Sequence, residues 1–397
     1  MTPSVKIFAA DTTNRRIVDD QRWSKETMRL STDQCDLRGM TSTTTATAHW
    51  FDLAQHLGFG DIHIKVDPRT GLHAIIAIHS TSRGPALGGC RCVRYGSFEE
   101  AVTDALRLAQ GMSYKAAMAG LALGGGKSVL LHPGTITDRQ AYFRAFGEFV
   151  EELGGRYITA VDSGTSVADM DAVATATDHV ASTSSGTAAT GDPSPYTAYG
   201  VLRAIQAAVK HRLARNDLQG LHVALQGVGQ VGYHLARSLH EHGASLTVCD
   251  SNPDRVRRAR DEFNARIAPP EAIIEVDCDL FAPCALGGAL TRASTARLRT
   301  QMVVGAANNQ LAAPEIAQLL AERGILYAPD YIANAGGLIQ IAMRQIEKQD
   351  EKSVIARIDQ IYDTLMTVFA AADRDHTSPM QVADRLARQR LDHEDTA

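Results

Sequence analysis

The sequence predicts an α/β protein of two domains, the second a Rossmann-like, doubly wound parallel sheet. Three observations carry this. The chain has 397 residues, enough for two ordinary cores. Beyond Pro195 strand-like and helix-like segments alternate, which is the rhythm of parallel strands joined by crossover helices. A glycine-rich turn joins one of those strands to its helix.

Composition narrows the class. Apolar residues make up 44% and charged residues 21%, the balance of a globular protein rather than a disordered one. The net charge of -5 comes from mixed acids and bases, with no basic block to suggest nucleic acid. No apolar stretch is long enough to span a membrane. The cysteines (Cys35, Cys90, Cys92, Cys249, Cys278, Cys284) hold no Cys-x-x-Cys pair and no histidine set at zinc spacing. They read as free, half-buried thiols in a reducing compartment, and with no signal peptide the expected location is the cytoplasm.

Residues 1–48 read as a poorly ordered extension, and a chain begun at Met40 loses no motif. Asp11, Asp19, Asp20 and Glu26 speak against a transit peptide, which avoids acids. A substrate and oligomerisation domain is expected over 49–190. It opens with a hairpin, Ile62–Val66 and Leu72–His79, joined by the turn Asp67-Pro-Arg-Thr-Gly71. A helix over 98–118 follows, then Gly124–Lys127 leading into a short strand, a helix over 139–153 and a strand over 156–161. The small polar stretch 182–195 is the linker, with Ser194 placed to cap a helix that starts at Pro195. The nucleotide-binding domain should cover 191–345, and helices over 346–397 should pack back on the first domain.

The strand Leu221–Gln226 runs into Gly227-Val228-Gly229-Gln230-Val231-Gly232, which opens the next helix. A lone Gly-x-Gly-x-x-Gly is a weak signal, because glycine turns are common. Here the strand before, the helix after and a second strand ending at Asp250 are all present, so a dinucleotide site outweighs a merely structural turn. Gly227 permits the tight turn, Gly229 the approach of a pyrophosphate, and Gly232 close packing of helix on strand. The helix N-terminus then offers unpaired N–H groups to phosphate. Asp250 is placed to bind ribose hydroxyls and would repel a 2′-phosphate; Ser251 and Asn252 follow it, not arginine. The expected cofactor is NAD.

In the first domain Gly124-Gly-Gly-Lys127-Ser128 invites a phosphate-loop reading. The spacing excludes it, since Leu121 stands where that motif needs glycine. The lysines say more. Lys115 sits beside the apolar stripe of its helix, and Lys127 follows three glycines that would let a substrate approach the backbone. Two inward ammonium groups disfavour each other's charge and burial adds to this, so at least one pKa should fall. One lysine then suits holding a carboxylate and the other base chemistry; either alone would read as a surface lysine. Asp162 ends a strand before Gly164, as a turn cap or as an active carboxylate.

These pieces together resemble the Glu/Leu/Phe/Val dehydrogenase family, most of all its leucine and valine dehydrogenase branch. The shared runs are Gly84-Pro-Ala-Leu-Gly-Gly89, Gly111-Met-Ser-Tyr-Lys115, Gly124–Lys127, Asp192–Gly200, Gly227–Gly232, Phe281–Gly288, Gly305–Leu311 and Tyr327–Gly337. The resemblance implies a cleft between the domains in which Lys115 binds the substrate carboxylate. Lys127 would activate water and Asp162 would exchange protons with the substrate nitrogen. Thr197, Asn308 and the loop at Pro283 would close on the nicotinamide, and Leu87, Gly88, Leu338 and Ile341 would line the substrate pocket. It also implies a homo-oligomer for which the hairpin offers an edge, and a reversible oxidative deamination of an L-amino acid.

The chain departs from the family pattern at Val161 and Ser163 around Asp162, at Asp192, and in the run Leu338–Arg344. Bulky Leu338 and Ile341 favour valine-sized or leucine-sized substrates, unless they are only core residues. The alternatives are a dehydrogenase for an aromatic or unusual amino acid in a specialised pathway, and a non-catalytic NAD-binding protein. A binding module has no need of Lys115, Lys127 and Asp162 together.

Overall fold

The computed structural model describes residues 4–8, 46–59, 61–184, 192–285 and 287–392. The first part of the chain runs β1 (Ser4–Phe8), α1 (Ala46–His56), β2 (Asp61–Asp67), β3 (Leu72–Ser80), β4 (Ala86–Val93), α2 (Phe98–Met118), β5 (Gly124–Leu131), α3 (Arg139–Glu151), β6 (Tyr157–Val161) and α4 (Val167–Ala174). The second begins with α5 (Ser194–Leu213) and continues β7 (His222–Gln226), α6 (Gln230–Glu241), β8 (Ser245–Cys249), α7 (Pro253–Phe263), β9 (Arg266–Ile267), β10 (Leu280–Pro283), α8 (Arg292–Arg297), β11 (Met302–Val303), α9 (Glu315–Glu322) and β12 (Leu326–Tyr327). Four helices end the chain: α10 (Asp330–Ala333), α11 (Gly336–Ile341), α12 (Glu351–Asp375) and α13 (Pro379–Asp392).

The N-terminal sheet is mixed, in the order β1-β2-β3-β5-β4-β6. Strand β3 shows why it is covered on both faces. Leu72, Ala74, Ile76 and Ile78 meet one apolar cluster, which holds Tyr142, Phe143, Phe146 and Phe149 of α3. Ile75 and Ala77 meet the other, with Trp50 of α1 and Ala101, Val102, Ala105 and Leu106 of α2. Period-two alternation thus serves two cores at once. Helix α2 starts where Ser97 accepts a hydrogen bond from the Glu100 N–H, and Glu99 and Glu100 favour the positive end of its dipole.

The second sheet is parallel throughout, in the order β12-β11-β10-β7-β8-β9. Counted from β7 this is the doubly wound 3-2-1-4-5-6 order, whose crevice opens at the carboxyl end of β7. The chain then returns. Arg390 of α13 donates to the carbonyls of Ala117 and Met118 at 3.0 and 3.1 Å, at the C-terminal end of α2.

Several expectations change. Gly124–Lys127 is not a loop ahead of a strand but part of β5, and all four residues are buried. The glycines admit a helix rather than a ligand: a Cβ on Gly125 would lie 2.0 Å from the Ser113 nitrogen of α2. Ser194 is not the cap of α5; it is the first helical residue, and the Asp192 carboxylate accepts its N–H at 2.9 Å. Of the expected 182–195 linker, 185–191 lie outside the described residues. Structure enters the expected N-terminal extension at both ends, as β1 and as the start of α1, while 9–45 lie outside the described residues. Strand β1 pairs in parallel with β2, so it occupies the hairpin edge expected to be free. Cys90 and Cys92 lie buried in strand β4, in keeping with the strand-like run around them, whereas helix α4 was not anticipated as an element.

Because nothing in β5 can retreat from α2, Gly125→Ala is expected to lower stability by about 1–3 kcal/mol. Urea unfolding monitored by circular dichroism measures it; an unchanged midpoint would mean the helix tolerates the methyl group.

Candidate active site

Two elements set the lysines. Lys115 lies on α2, two residues past the Ser113 contact, and Lys127 projects from β5. Lys127 is 5% exposed, and its Nζ donates to Asp162 Oδ2 at 2.6 Å. Asp162 follows the last residue of β6, two strands away in sheet order. Between them stands β4, and its Gly89 leaves the room: a Cβ there would lie 2.7 Å from Asp162 Cβ and 3.2 Å from Lys127 Nζ. The two readings of Asp162 are compatible. Its backbone N–H donates to Thr165 Oγ1 at 2.9 Å in the turn, while its side chain faces the lysine.

A second cation holds the same oxygen. Arg91 Nε donates to Asp162 Oδ2 at 3.1 Å, and its Nη1 donates to Asp104 Oδ2 at 2.9 Å. The Tyr95 hydroxyl donates to Asp104 Oδ2 at 2.6 Å, which completes the support. Burial pushes the Asp162 carboxyl up, but Lys127 and Arg91 together outweigh it and hold the pKa at about 2. Both cations meet the same carboxylate oxygen, Oδ2. Arg91 was missed in the sequence; the visible signal was a charge between two buried cysteines on one strand.

The downward shift expected for one lysine falls on Lys115. Burial lowers it from 10.5 to about 8, opposed by Asp330 and reinforced by Lys127. In the free protein its charge is therefore lost as pH rises through about 8. Its Nζ donates to Asn308 Oδ1 at 3.1 Å, a bond from the first domain to the second. Asn334 Nδ2 donates to the same Asn308 oxygen at 2.8 Å. Asp330, buried nearby, accepts the Gln310 N–H at 2.9 Å; burial raises its pKa, while that bond and Lys115 oppose the rise. Asp330 and Asn334 sit four apart in the run Tyr327–Gly337, a helical spacing that could have marked them.

Leu87 is buried in the apolar core, and Ile341 joins the same cluster with Leu338 packed half-buried against it. Gly88 lies against β5, where a Cβ would come 1.8 Å from the Gly126 oxygen. Thr197 donates to the Pro193 carbonyl at 3.1 Å, and only a glycine at 337 fits beside its hydroxyl.

The glycine turn meets the demands of a dinucleotide. Gly227 has φ +95°, and a Cβ at Gly232 would lie 2.0 Å from the Gly227 oxygen. A Cβ at Gly229 would meet only Arg255 Nη1, at 3.7 Å, so the surface over the turn is open. Gly229 is the N-cap of α6 and provides no side-chain cap, so the N–H groups at Gln230, Val231 and Gly232 are presented at the turn. Asp250 accepts the Val228 N–H at 2.9 Å and the Asn252 N–H at 2.8 Å, one on each carboxylate oxygen. Each oxygen keeps a lone pair for a ribose hydroxyl. One expectation needs correction. The residues after Asp250 in sequence carry no arginine, but α7 brings Arg255 Nη1 to 3.7 Å from Asp250 Oδ1. The local argument against a 2′-phosphate therefore rests on Asp250 alone. Among the described residues no His, Cys, Asp and Glu cluster could hold a metal.

With this geometry in place, comparison with known proteins is informative. Residues 59–179 match the family model for the Glu/Leu/Phe/Val dehydrogenase dimerisation domain. Residues 192–254 and 253–396 match the model for Glutamate/Leucine/Phenylalanine/Valine dehydrogenase. Leucine dehydrogenase of Geobacillus stearothermophilus is 49% identical over 82% of this chain and 89% of its own length. Valine dehydrogenase of Streptomyces virginiae is 43% identical over 89% and 99%. The crystal structure of L-tryptophan dehydrogenase from Nostoc punctiforme superimposes with a TM-score of 0.76 at 38% identity, covering 87% of this chain and all of that one.

Asp162→Asn leaves the Lys127 charge buried beside Arg91, and is expected to cost about 3 kcal/mol at neutral pH. The folded pKa of Asp162 lies below its ordinary 3.8, so the pair stabilises above that value and fades as pH falls toward about 2. Urea unfolding of both proteins across that range should show the gap closing in acid; a gap independent of pH would refute the assignment.

Proposed function

Because this chain belongs to the Glu/Leu/Phe/Val dehydrogenase family, we propose that its cleft holds a branched-chain L-amino acid against NAD. The enzyme class is not in question: the protein is an amino-acid dehydrogenase that oxidises a CH–NH2 group, releasing the 2-oxo acid and ammonia. The observation that carries the reading is the Lys127–Asp162 pair at 2.6 Å, with Lys115 on the adjoining helix.

Lys115 binds the substrate carboxylate, exchanging its bond to Asn308 for a charge-assisted one. This orients Cα and fixes the amino group toward Asp162. NAD, held along Gly227–Gly232 with Asp250 at its ribose, supplies the hydride acceptor. Lys127 acts as general base on the water that adds to the imino carbon. Neutral Lys127 takes the proton of that water, and once the carbinolamine has formed the proton passes by way of Asp162 Oδ2 to its nitrogen, which leaves as ammonia while Lys127 takes the hydroxyl proton. Between transfers Arg91 keeps Asp162 ionised and aimed. Thr197 and Asn308 stand at the nicotinamide end of the crevice. A purely NAD-binding role leaves the two lysines and the aspartate without work.

Leu87, Gly88, Leu338 and Ile341 form the wall for the substrate side chain. Bulky Leu338 and Ile341 are expected to favour a valine-sized or leucine-sized side chain over an indole. The likeness to a tryptophan dehydrogenase makes the aromatic alternative concrete, so both belong in one test. The protein works as a homo-oligomer, through the domain that matches a dimerisation model. No described helix is long and apolar enough to cross a membrane.

A panel of amino acids and 2-oxo acids, assayed by NADH absorbance, should give the highest kcat/KM with leucine or valine. Lys127→Ala should lose about a hundredfold or more in kcat while still binding NADH in fluorescence titration. Turnover of tryptophan alone would overturn the substrate reading, and full activity in Lys127→Ala would overturn the mechanism.

Cofactor choice has its own test. Asp250→Ala leaves Arg255 without its carboxylate, and is expected to shift relative affinity from NADH toward NADPH by about tenfold or more. Direct titration measures this without turnover; an unchanged ratio would remove Asp250 from the ribose site.

A further inference from the structure

A cavity of about 370 Å³ lies away from the lysines, between the C-terminal end of α2 and the helices that return from the second domain. Its apolar side includes Met118, Ile332, Ile339 and Ile361, and its polar side carries Arg83, Arg357 and Arg390. Among the described residues, no aspartate or glutamate lines it.

The arginines already cap a helix, and that duty has to be weighed first. Arg357 Nη1 donates to the carbonyls of Ala119 and Gly120 at 3.4 and 2.5 Å. Arg390 Nη1 donates to those of Ala117 and Met118, and Arg83 Nε to that of Leu121 at 3.3 Å. A helix C-terminus presents roughly half a negative charge. Arg357 and Arg390 alone bring two positive ones, and among the described residues neither is within ion-pair distance of a carboxylate. Capping thus uses one nitrogen of Arg357 and one of Arg390 and leaves further N–H donors on both guanidiniums. Partial burial and the charge of Arg83 both hold Arg390 below its usual pKa, consistent with crowded cations.

We propose that this cavity is a binding site for a small, multiply charged organic anion, its acid groups on Arg357 and Arg390 and its apolar part against Ile332 and Ile361. The site is distinct from the substrate cleft but shares its walls. Helix α2 bears Lys115 one turn before Ala119, and Leu338 precedes Ile339 on α11. An occupant bridging α2 to α10–α12 therefore changes the free energy of moving those helices apart, which couples it to cleft opening.

The test uses the full chain and two probes, inorganic pyrophosphate and glutarate, titrated calorimetrically with NADH saturating so that the glycine turn is blocked. Gln360, another lining residue, makes no hydrogen bond to the α2 carbonyls among the described residues, so Gln360→Glu adds a carboxylate to the cavity without removing a clamp. Saturable binding at one site per chain, weakened about tenfold or more by Gln360→Glu and by Arg357→Gln, is the expected result. The stronger probe identifies the acid group as phosphate or carboxylate. Absence of saturable heat with both probes at millimolar concentration would overturn the proposal, as would binding that Gln360→Glu leaves undiminished. Circular dichroism of each variant confirms that a loss of binding is not a loss of fold.

Discussion

The contact on which the rest of the molecule depends is the approach of α2 to the glycine strand β5. At Gly125 the helix backbone sits where any side chain would be, with a hypothetical Cβ 2.0 Å from the Ser113 nitrogen. Two elements that touch through backbone cannot slide or tilt as side-chain-padded layers do. Lys115 follows Ser113 by two residues on α2 and Lys127 follows Gly125 by two on β5, so the seam fixes the main chain from which both side chains leave. Glycine recurs in the neighbouring strand for a related reason, because Gly89 leaves the space through which Lys127 reaches Asp162.

The electrostatic arrangement follows from this rigidity. The two lysines feel unequal surroundings. Lys127 has a carboxylate at 2.6 Å, whereas Lys115 has an amide oxygen at 3.1 Å and a buried aspartate farther away. Burial depresses Lys115, while the carboxylate beside Lys127 is itself held ionised with the help of a second cation, Arg91.

The second domain completes the centre by reaching across. Asn308 and Asn334 come from segments on the far side of the cleft; Lys115 donates to the Asn308 oxygen directly, and Asn334 donates to that same oxygen. The C-terminal helices then tie the two halves together at the same end of α2, one turn further on, through Arg357 and Arg390. One helix thus presents a lysine to the cleft and its last carbonyls to the arginine cavity, which gives any ligand in that cavity a mechanical route to the active centre.

Local pattern alone determined a good deal. The alternation of strands and helices after Pro195 and the turn Gly227–Gly232 were legible because nearest-neighbour spacing decides them, and the observed sheet is parallel as that rhythm requires. The hairpin was legible for the same reason, from two β-rich runs about one turn. The role of Gly124–Gly126 was not, since a glycine run reads equally as a flexible loop or as a surface for a packed helix, and only the position of α2 decides between them. Nor was Arg91, whose partners Asp162 and Asp104 lie 71 and 13 residues away. The same holds for Arg255, brought to Asp250 by the pitch of a helix rather than by adjacency. Sequence settles what depends on a residue's own neighbours along the chain; pairing, burial and charge balance depend on neighbours in space, and these only the folded chain supplies.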